Sequence, residues 1–217
     1  MRSLLAFVLL ALGSSAFAGT IAGSVAVTDK GGRPASDLQE TVVYVEGAKT
    51  KAKPVTASVV MRGKAFQPHV LVIPVGSSVA FPNEDPILHN AFSVSGENRF
   101  DLDLYKRPQS KSQTFQTPGV VRVYCNIHPQ MSAVVLVADS AYYAKASADG
   151  SFSIDGVPAG KYVLKAWHER GGEASQEVVV PEGGVVRAQL ALDASAFKRV
   201  QHKNKFGKDY SAPGDKY

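Results

Sequence analysis

Apolar and polar positions alternate in short runs along most of this chain, and the apolar runs are rich in valine. No stretch keeps the three- to four-residue apolar spacing of a helix, whereas several alternate residue by residue as half-buried strands do. Glycine and proline separate the runs at short intervals, which is typical of a sandwich or barrel. The pattern predicts an all-β protein with strands at 21–27, 41–45, 70–75, 77–81, 91–94, 119–125, 132–137, 148–154, 157–164, 177–180 and 185–192.

The alternation also orients the side chains around the single cysteine of the chain. Val121, Val123 and Cys125 have the same parity and share one face of a predicted strand. The thiol is therefore predicted to point inward at the end of that strand. Met131 has the parity of the apolar positions in the strand that follows, so its thioether can face the same interior.

The loop that begins at Cys125 carries three metal-binding side chains within seven residues. His128 and Met131 follow the cysteine, and His89 lies upstream in a segment rich in proline and acidic residues. Soft sulfur, two imidazoles and a weak thioether suit copper that cycles between its two common oxidation states. The sequence therefore predicts a site for one copper ion with His89, Cys125, His128 and Met131 as ligands.

Simpler interpretations of these side chains remain open at this point. A single cysteine is often a buried, inert thiol, and Met131 can serve as core filler. Zinc is a weaker contender, because structural zinc sites prefer more thiolates or a closed histidine set to a thioether. Of the remaining histidines, His69 at a strand start is predicted to be a surface or capping side chain, His168 has no partner in the sequence that would make a site, and His202 lies in the tail. The alternating Asp101 and Asp103 are typical of the wet face of a strand.

Residues 1–18 have the pattern of a cleaved secretory signal. Arg2 supplies a positive charge, 4–12 is apolar, and Ala16-Phe17-Ala18 has the small residues of a cleavage site. No segment is long and apolar enough to cross a membrane. We therefore expect export to the periplasm, where a lone cysteine cannot form a disulfide within its own chain and is inert, reactive or a ligand.

Positive charge is concentrated at the end of the chain. Residues 195–217 contain six basic and two acidic side chains, a net charge of +4, and the rest of the exported chain is neutral. This basic, polar tail is predicted to be disordered, with docking to an acidic partner as an alternative. Because no other basic patch is present, the sequence argues against nucleic-acid binding.

The middle of the chain resembles the cupredoxins, the plastocyanin-like blue copper proteins. The resemblance rests on 66–68, on Gly76 leading into 79–83, on 89–90 and on 125–131, and the His128–Met131 spacing is similar to that of amicyanin. It implies a Greek-key sandwich and a type 1 copper site with Met131 as a weak axial ligand. It also implies that Asn90, beside the first ligand, ties the two ligand loops together by hydrogen bonds.

The flanking segments resemble two halves of a carboxypeptidase-regulatory, transthyretin-like sandwich. The resemblance rests on 28–34 and 42–45 before the copper segment, and on 148–164 after it. It implies a smaller outer sandwich interrupted by a cupredoxin domain, an arrangement similar to bacterial "methylamine utilization-like" proteins. The predicted divisions are 1–18 signal peptide, 19–54 first half and linker, 55–139 cupredoxin domain, 140–194 second half, and 195–217 basic tail.

The leading functional prediction is a periplasmic carrier of single electrons between redox protein partners, and not an enzyme. A complete ligand set without further histidine clusters leaves no place for a second copper. Two alternatives use the same residues differently. One is copper storage or delivery, and the other is a structural or adhesion module with a vestigial copper site.

Overall fold

The computed structural model describes residues 18–48 and 50–210, so the predicted signal peptide lies almost entirely outside the described residues. The predicted all-β class is confirmed: apart from two 3-10 turns, Leu38–Glu40 and Gly96–Asn98, the regular elements of the described chain are strands. They are Gly19–Thr28 (β1), Val42–Glu46 (β2), Thr56–Ser58 (β3), Val60–Met61 (β4), Phe66–Gln67 (β5), Val70–Pro74 (β6), Ser78–Pro82 (β7), Phe92–Ser93 (β8), Phe100–Asp101 (β9), Ser110–Thr114 (β10), Gly119–Tyr124 (β11), Ser132–Ala138 (β12), Tyr143–Lys145 (β13), Ser151–Val157 (β14), Gly160–His168 (β15), Gly172–Val180 (β16) and Val185–Asp193 (β17).

The first and last strands form what we call the outer sandwich. Its two sheets have the orders β14-β1-β17 and β13-β2-β15-β16. β1 pairs with β17 in parallel and with β14 antiparallel, so residues from both ends of the chain share one sheet. Gly23 is required in β1, because a Cβ there would lie 1.9 Å from the carbonyl oxygen of Ala188 in β17.

The strands between them form the inner sandwich. Its sheets have the orders β10-β7-β3 and β6-β12-β11-β8-β9, with β4 and β5 as a separate pair. Its core is distinct from that of the outer sandwich and includes Phe81, Phe115, Val121, Val123 and Val135. The domain boundaries and the transthyretin-like relationship of the flanks remain predictions.

Strand β12 explains how the two sandwiches are joined. Its run of apolar residues has no polar alternation because both of its faces are buried. Val135 packs into the inner core, whereas Val134 and Leu136 pack with Val42 and Trp167 of the outer sandwich. This third apolar cluster packs the outward face of β6 and β12 against the outer sandwich.

The tail beyond β17 contains no helix or strand between residues 195 and 210. It differs from a free chain end because several of its side chains contact the inner sandwich. Tyr210 and Lys205, for example, hydrogen bond to the loop that follows β11. Within the described part of the chain, no helix is long and apolar enough to cross a membrane.

Candidate metal centre

The cysteine lies immediately after β11, at one end of the inner sandwich. Val121, Val123 and Cys125 are all fully buried, as the alternation of the strand predicts. The chain then turns through His128 and returns at Met131 to begin β12. The Cys125 N–H donates to the Met131 carbonyl (3.2 Å) and the Met131 N–H donates to the His128 carbonyl (3.0 Å), which closes residues 125–131 into a compact metal loop.

Three of the predicted ligands converge on one point. His89 Nδ1 lies 3.0 Å from His128 Nδ1, and Cys125 Sγ lies 4.0 Å from the first nitrogen and 3.6 Å from the second. Metal–nitrogen and metal–sulfur bonds are about 2.0 and 2.3 Å long, as in zinc sites. Each separation is shorter than the sum of the two bonds it would span, so a single ion can bond all three atoms at once.

The nature of the donors fits copper. Two imidazoles and one thiol form a mixed nitrogen and sulfur set, and among the described residues no other group of three or more His, Cys, Asp or Glu side chains comes close enough to hold a metal. Such a set with a thioether nearby is typical of electron-transfer copper sites. Met131 is fully buried in the same core as Cys125, and its backbone helps to close the loop. Its role as an axial ligand remains a prediction.

The Asp85 carboxylate binds the ring nitrogen of His89 that faces away from the other ligands, and the sequence did not predict this contact. The imidazole is fully buried, and its Nε2 lies 2.8 Å from Asp85 Oδ2. Because the carboxylate accepts at Nε2, the proton belongs there and the Nδ1 lone pair is left facing Cys125. Carboxylate partners of this kind orient histidine ligands and raise their basicity. Asp85 precedes His89 by four residues, and this spacing was the sequence signal for the contact.

Asp85 is itself firmly placed. Its two oxygens accept the backbone N–H groups of Gly63 (2.7 Å) and Lys64 (2.9 Å). Burial raises the pKa of Asp85, but these two hydrogen bonds and the one from His89 outweigh it and lower the pKa to about 2. The group is therefore a carboxylate at neutral pH and can only accept hydrogen bonds.

Burial favours the neutral forms of Cys125 and His128 when no metal is present. Burial raises the pKa of the Cys125 thiol, and hydrogen bonds from the N–H groups of Asn90, Ile127 and His128 act in the opposite direction. Burial, and then the neighbouring His89, lower the pKa of His128. A metal ion would thus find the His128 imidazole unprotonated and would displace the proton of the Cys125 thiol.

Asn90 links the two loops that carry the ligands. Its Oδ1 accepts the Asn126 N–H at 2.7 Å, and its Nδ2 donates to Asp101 Oδ1 at 2.8 Å. Asp101 and Asp103 were predicted to lie on the solvent-facing side of one strand: both are exposed and Asp101 lies in β9, but Asp103 lies beyond the strand. β9 ends at Asp101, and the positive φ of 56° at Asp103 turns the chain away. Asp101 also belongs to the hydrogen-bond network around the metal loop.

The other histidines lie away from the three converging ligands. His69 bridges the two sandwiches, with Nε2 2.6 Å from Glu169 and Nδ1 3.0 Å from the Ser132 carbonyl oxygen. His168 is buried in the outer sandwich. His202, in the tail, stacks on Tyr124 with 3.9 Å between ring centroids. None of them belongs to the group that could hold a metal.

Comparison with known proteins gives partial matches. A family model described as "Polysaccharide lyase family 4, domain II" matches residues 116–188, less than half of the chain, and this stretch crosses from the inner into the outer sandwich. No curated protein matches the chain.

Solved structures similar to part of this chain include cupredoxins. A "Novel Purple Cupredoxin" from Nitrosopumilus maritimus is 24% identical over 38% of this chain and 99% of its own, with a TM-score of 0.35. Amicyanin from Paracoccus versutus is 23% identical over 44% of this chain and 97% of its own, with a TM-score of 0.35. A Cu-containing nitrite reductase from Thermus scotoductus SA-01 is 35% identical over 42% of this chain but only 24% of its own, with a TM-score of 0.36.

Proposed function

We propose that this protein is an exported type 1 copper protein that carries single electrons between redox protein partners and does not itself transform a substrate. One observation supports this above all others. The Nδ1 atoms of His89 and His128 and the sulfur of Cys125 lie 3.0 to 4.0 Å from one another at the end of a β-sandwich. Copper, when bound, would supply a one-electron couple at this site.

The surrounding residues would keep the ligands in place during a change of oxidation state. Asp85 holds His89, Asn90 holds Asn126 beside the cysteine, and the backbone bonds of Met131 close the loop. Ligands that are fixed by outer hydrogen bonds need little rearrangement when the metal gains or loses an electron. This favours electron carriage.

Copper delivery makes a different demand on the same residues. A delivery protein has to release its metal to a partner, and this requires ligands that the partner can reach. His89 and Cys125 are fully buried, and of the three converging ligands only His128 is partly exposed. The burial of two ligands therefore favours a carrier that keeps its metal. Export to the periplasm is part of the proposal and rests on residues 1–18.

The absorption spectrum of the copper-loaded protein tests this function. We expect an intense thiolate-to-copper band in the visible region for the wild type and its loss in Cys125→Ser, because the band requires the copper–sulfur bond. The zinc-loaded wild type is the control, since zinc has no redox chemistry and no partly filled d shell. A pale copper spectrum that is unchanged in Cys125→Ser would overturn the proposal.

Kinetics separates carriage from delivery. A carrier should show fast electron self-exchange and slow loss of copper to a chelator. Slow self-exchange together with ready transfer of copper to a chelator would instead indicate storage or delivery. Both measurements use the same copper-loaded full-length protein.

A further inference from the structure

The C-terminal tail returns to the inner sandwich after the outer sandwich is complete. β17 ends at Asp193, and the chain then crosses to the metal loop, where Lys205 and Tyr210 make hydrogen bonds. These contacts join residues 79 and 85 positions apart in the chain. They are tertiary contacts, which a freely disordered tail would not make.

Lys205 completes a closed ring of hydrogen bonds around both ligand loops. Asn90 beside His89 binds the Asn126 N–H, and Lys205 N–H donates to Asn126 Oδ1 at 2.9 Å. The Lys205 ammonium group then donates to Asp101 Oδ2 at 2.5 Å, and Asp101 Oδ1 accepts from Asn90. Each member of the ring therefore holds two others, and Lys205 is the member that the tail provides.

Tyr210 makes a second connection, to the cysteine itself. Its hydroxyl donates to the Cys125 carbonyl oxygen at 2.7 Å and lies 3.0 Å from His202 Nδ1. His202 Nδ1 also lies 3.1 Å from the Lys203 carbonyl oxygen, which can only accept, so the proton is placed on Nδ1. The single His202 N–H is then shared between the Lys203 carbonyl and the tyrosine oxygen, and the tyrosine proton is directed to the Cys125 carbonyl. The His202 ring meanwhile stacks on Tyr124, the residue before Cys125.

Two basic side chains of the tail have acidic partners within this chain. The Lys205 ammonium group lies 2.5 Å from Asp101 and 3.8 Å from Asp103, and the Lys203 ammonium group lies 2.6 Å from Asp209. Docking of the tail to an acidic partner was an alternative from the sequence. For Lys205, the inner sandwich of the same molecule already supplies acidic groups.

We propose that residues 202–210 form a clasp on the metal centre, in which Lys205 and Tyr210 are positioning residues for the metal loop. The clasp holds the Cys125 carbonyl through Tyr210 and the Asn126 side chain through Lys205, and it connects both to the loop of His89 through Asp101 and Asn90. It thereby restricts the movement of the sulfur ligand relative to the imidazole. Its effect on a bound metal rests on the proposed copper function, whereas its effect on the loop does not.

Hydrogen exchange in the metal-free full-length protein tests the clasp without any copper. We expect Lys205→Ala and Tyr210→Phe each to speed exchange of the Asn126 and Met131 amide protons by roughly tenfold, the size of one lost hydrogen bond to a charged or well-placed group. Lys205→Arg should restore slow exchange, because a guanidinium can still reach the Asp101 carboxylate.

Two variants serve as matched controls. Lys203→Ala removes the same charge from the tail, but its ion pair with Asp209 is exposed and lies within the tail itself. Tyr162→Phe removes a hydroxyl from the outer sandwich. Both should leave exchange at Asn126 and Met131 unchanged. If Lys205→Ala and Tyr210→Phe behave like these controls, the clasp is refuted.

Copper loading supplies a second readout that a merely stabilising role would not change. In the copper-bound protein, Lys205→Ala and Tyr210→Phe should shift the thiolate-to-copper band and speed copper loss to a chelator by about tenfold, the lower end of the effect of removing an outer partner. An unshifted band and unchanged copper loss would refute positioning of the metal. If the wild type binds no copper at all, the copper function fails, and the exchange experiment still decides the clasp.

Discussion

His89 in the inner sandwich and His168 in the outer sandwich are both fully buried, and each has a carboxylate near its Nε2. The distances differ: 2.8 Å from His89 to Asp85, within hydrogen-bond range, and 3.5 Å from His168 to Asp37. Asp37 is instead bound by both ends of the Arg170 guanidinium group. The first carboxylate orients an imidazole, whereas the second anchors an arginine.

The Nδ1 atoms of the two rings have different partners, and these partners separate a structural from a ligating histidine. His168 Nδ1 accepts the N–H of Gly171 at 3.2 Å, so its lone pair is used within the fold. His89 Nδ1 faces another imidazole and a thiol. A buried histidine beside a carboxylate therefore does not by itself indicate a metal site. The destination of the remaining lone pair decides between a structural and a ligating role.

Replacement of each histidine should give the largest difference between the ligating and the structural role. His89→Gln removes a ligand, so copper affinity should fall by more than the roughly 100-fold that is typical of losing an outer partner. His168→Gln should leave copper affinity unchanged and lower the free energy of unfolding, because it disturbs a fully buried polar site. Competition with a copper chelator and urea unfolding measure the two effects. Equal loss of copper affinity in both variants would contradict the distinction.

The two carboxylates offer a finer test of the same difference. Asp85→Asn should lower copper affinity by about 10- to 100-fold, because an amide cannot accept from His89 and two backbone N–H groups as a carboxylate does. Asp37→Asn is the matched control, since it weakens the contact with Arg170 in the outer sandwich. The same chelator competition applies. If Asp85→Asn keeps the copper affinity of the wild type, Asp85 does not support copper binding through His89.

The sequence predicted the parts of this molecule that depend on local pattern. Alternation placed Cys125 and Val123 inward, and their burial agrees. The spacing of cysteine, histidine and methionine within seven residues indicated a loop, and backbone bonds close it. Both the alternation and the ligand spacing involve residues close together in the chain, so they can be recognised without knowledge of the tertiary fold.

The parts that the sequence did not predict depend on contacts across the chain. Asp101 is exposed, but its partners, Asn90 and Lys205, were not predicted because the folding of separate loops brings them to it. His69 looked like a surface or capping residue, and its partner Glu169 lies 100 positions away in the other sandwich. The composition of the tail predicted disorder, because the groups that bind it are 79 and 85 positions away in the sequence. In each case a polar side chain was judged without its partner.

The third histidine–carboxylate pair, His69 and Glu169, extends the comparison to the junction of the sandwiches. Both His69 nitrogens face acceptors, Glu169 and the Ser132 carbonyl, an arrangement that requires the imidazolium ion. The hydrogen bond to Glu169 raises the pKa of His69 above 6.5, and burial opposes it. The same bond lowers the pKa of Glu169 below 4.5.

Glu169→Gln should reveal this pair through its pH dependence. The histidine contributes stability below pH 6.5 and loses it as pH rises through its raised pKa, while the glutamate contributes above pH 4.5 and loses it as pH falls. Between these values the variant should be about 2 kcal/mol less stable than the wild type, with a smaller difference at higher pH. Urea unfolding across the pH range measures it, with the exposed Glu177→Gln as control. A difference that does not vary with pH would show that the ion pair contributes nothing.

Arg122 should have the smallest effect, although it binds the same carboxylate. Its guanidinium Nη1 lies 3.1 Å from Glu169 Oε1, close to the His69 contact, but its side chain is 44% exposed against 27% for His69. Solvent screens an exposed pair, so Arg122→Gln should lower the free energy of unfolding by less than about 1 kcal/mol. Added salt should reduce the difference further, whereas it should alter the Glu169→Gln difference less. Urea unfolding of both variants at pH 6 in low and high salt makes the measurement. A loss in Arg122→Gln as large as in Glu169→Gln would mean that the arginine, and not the histidine, holds the carboxylate at the junction.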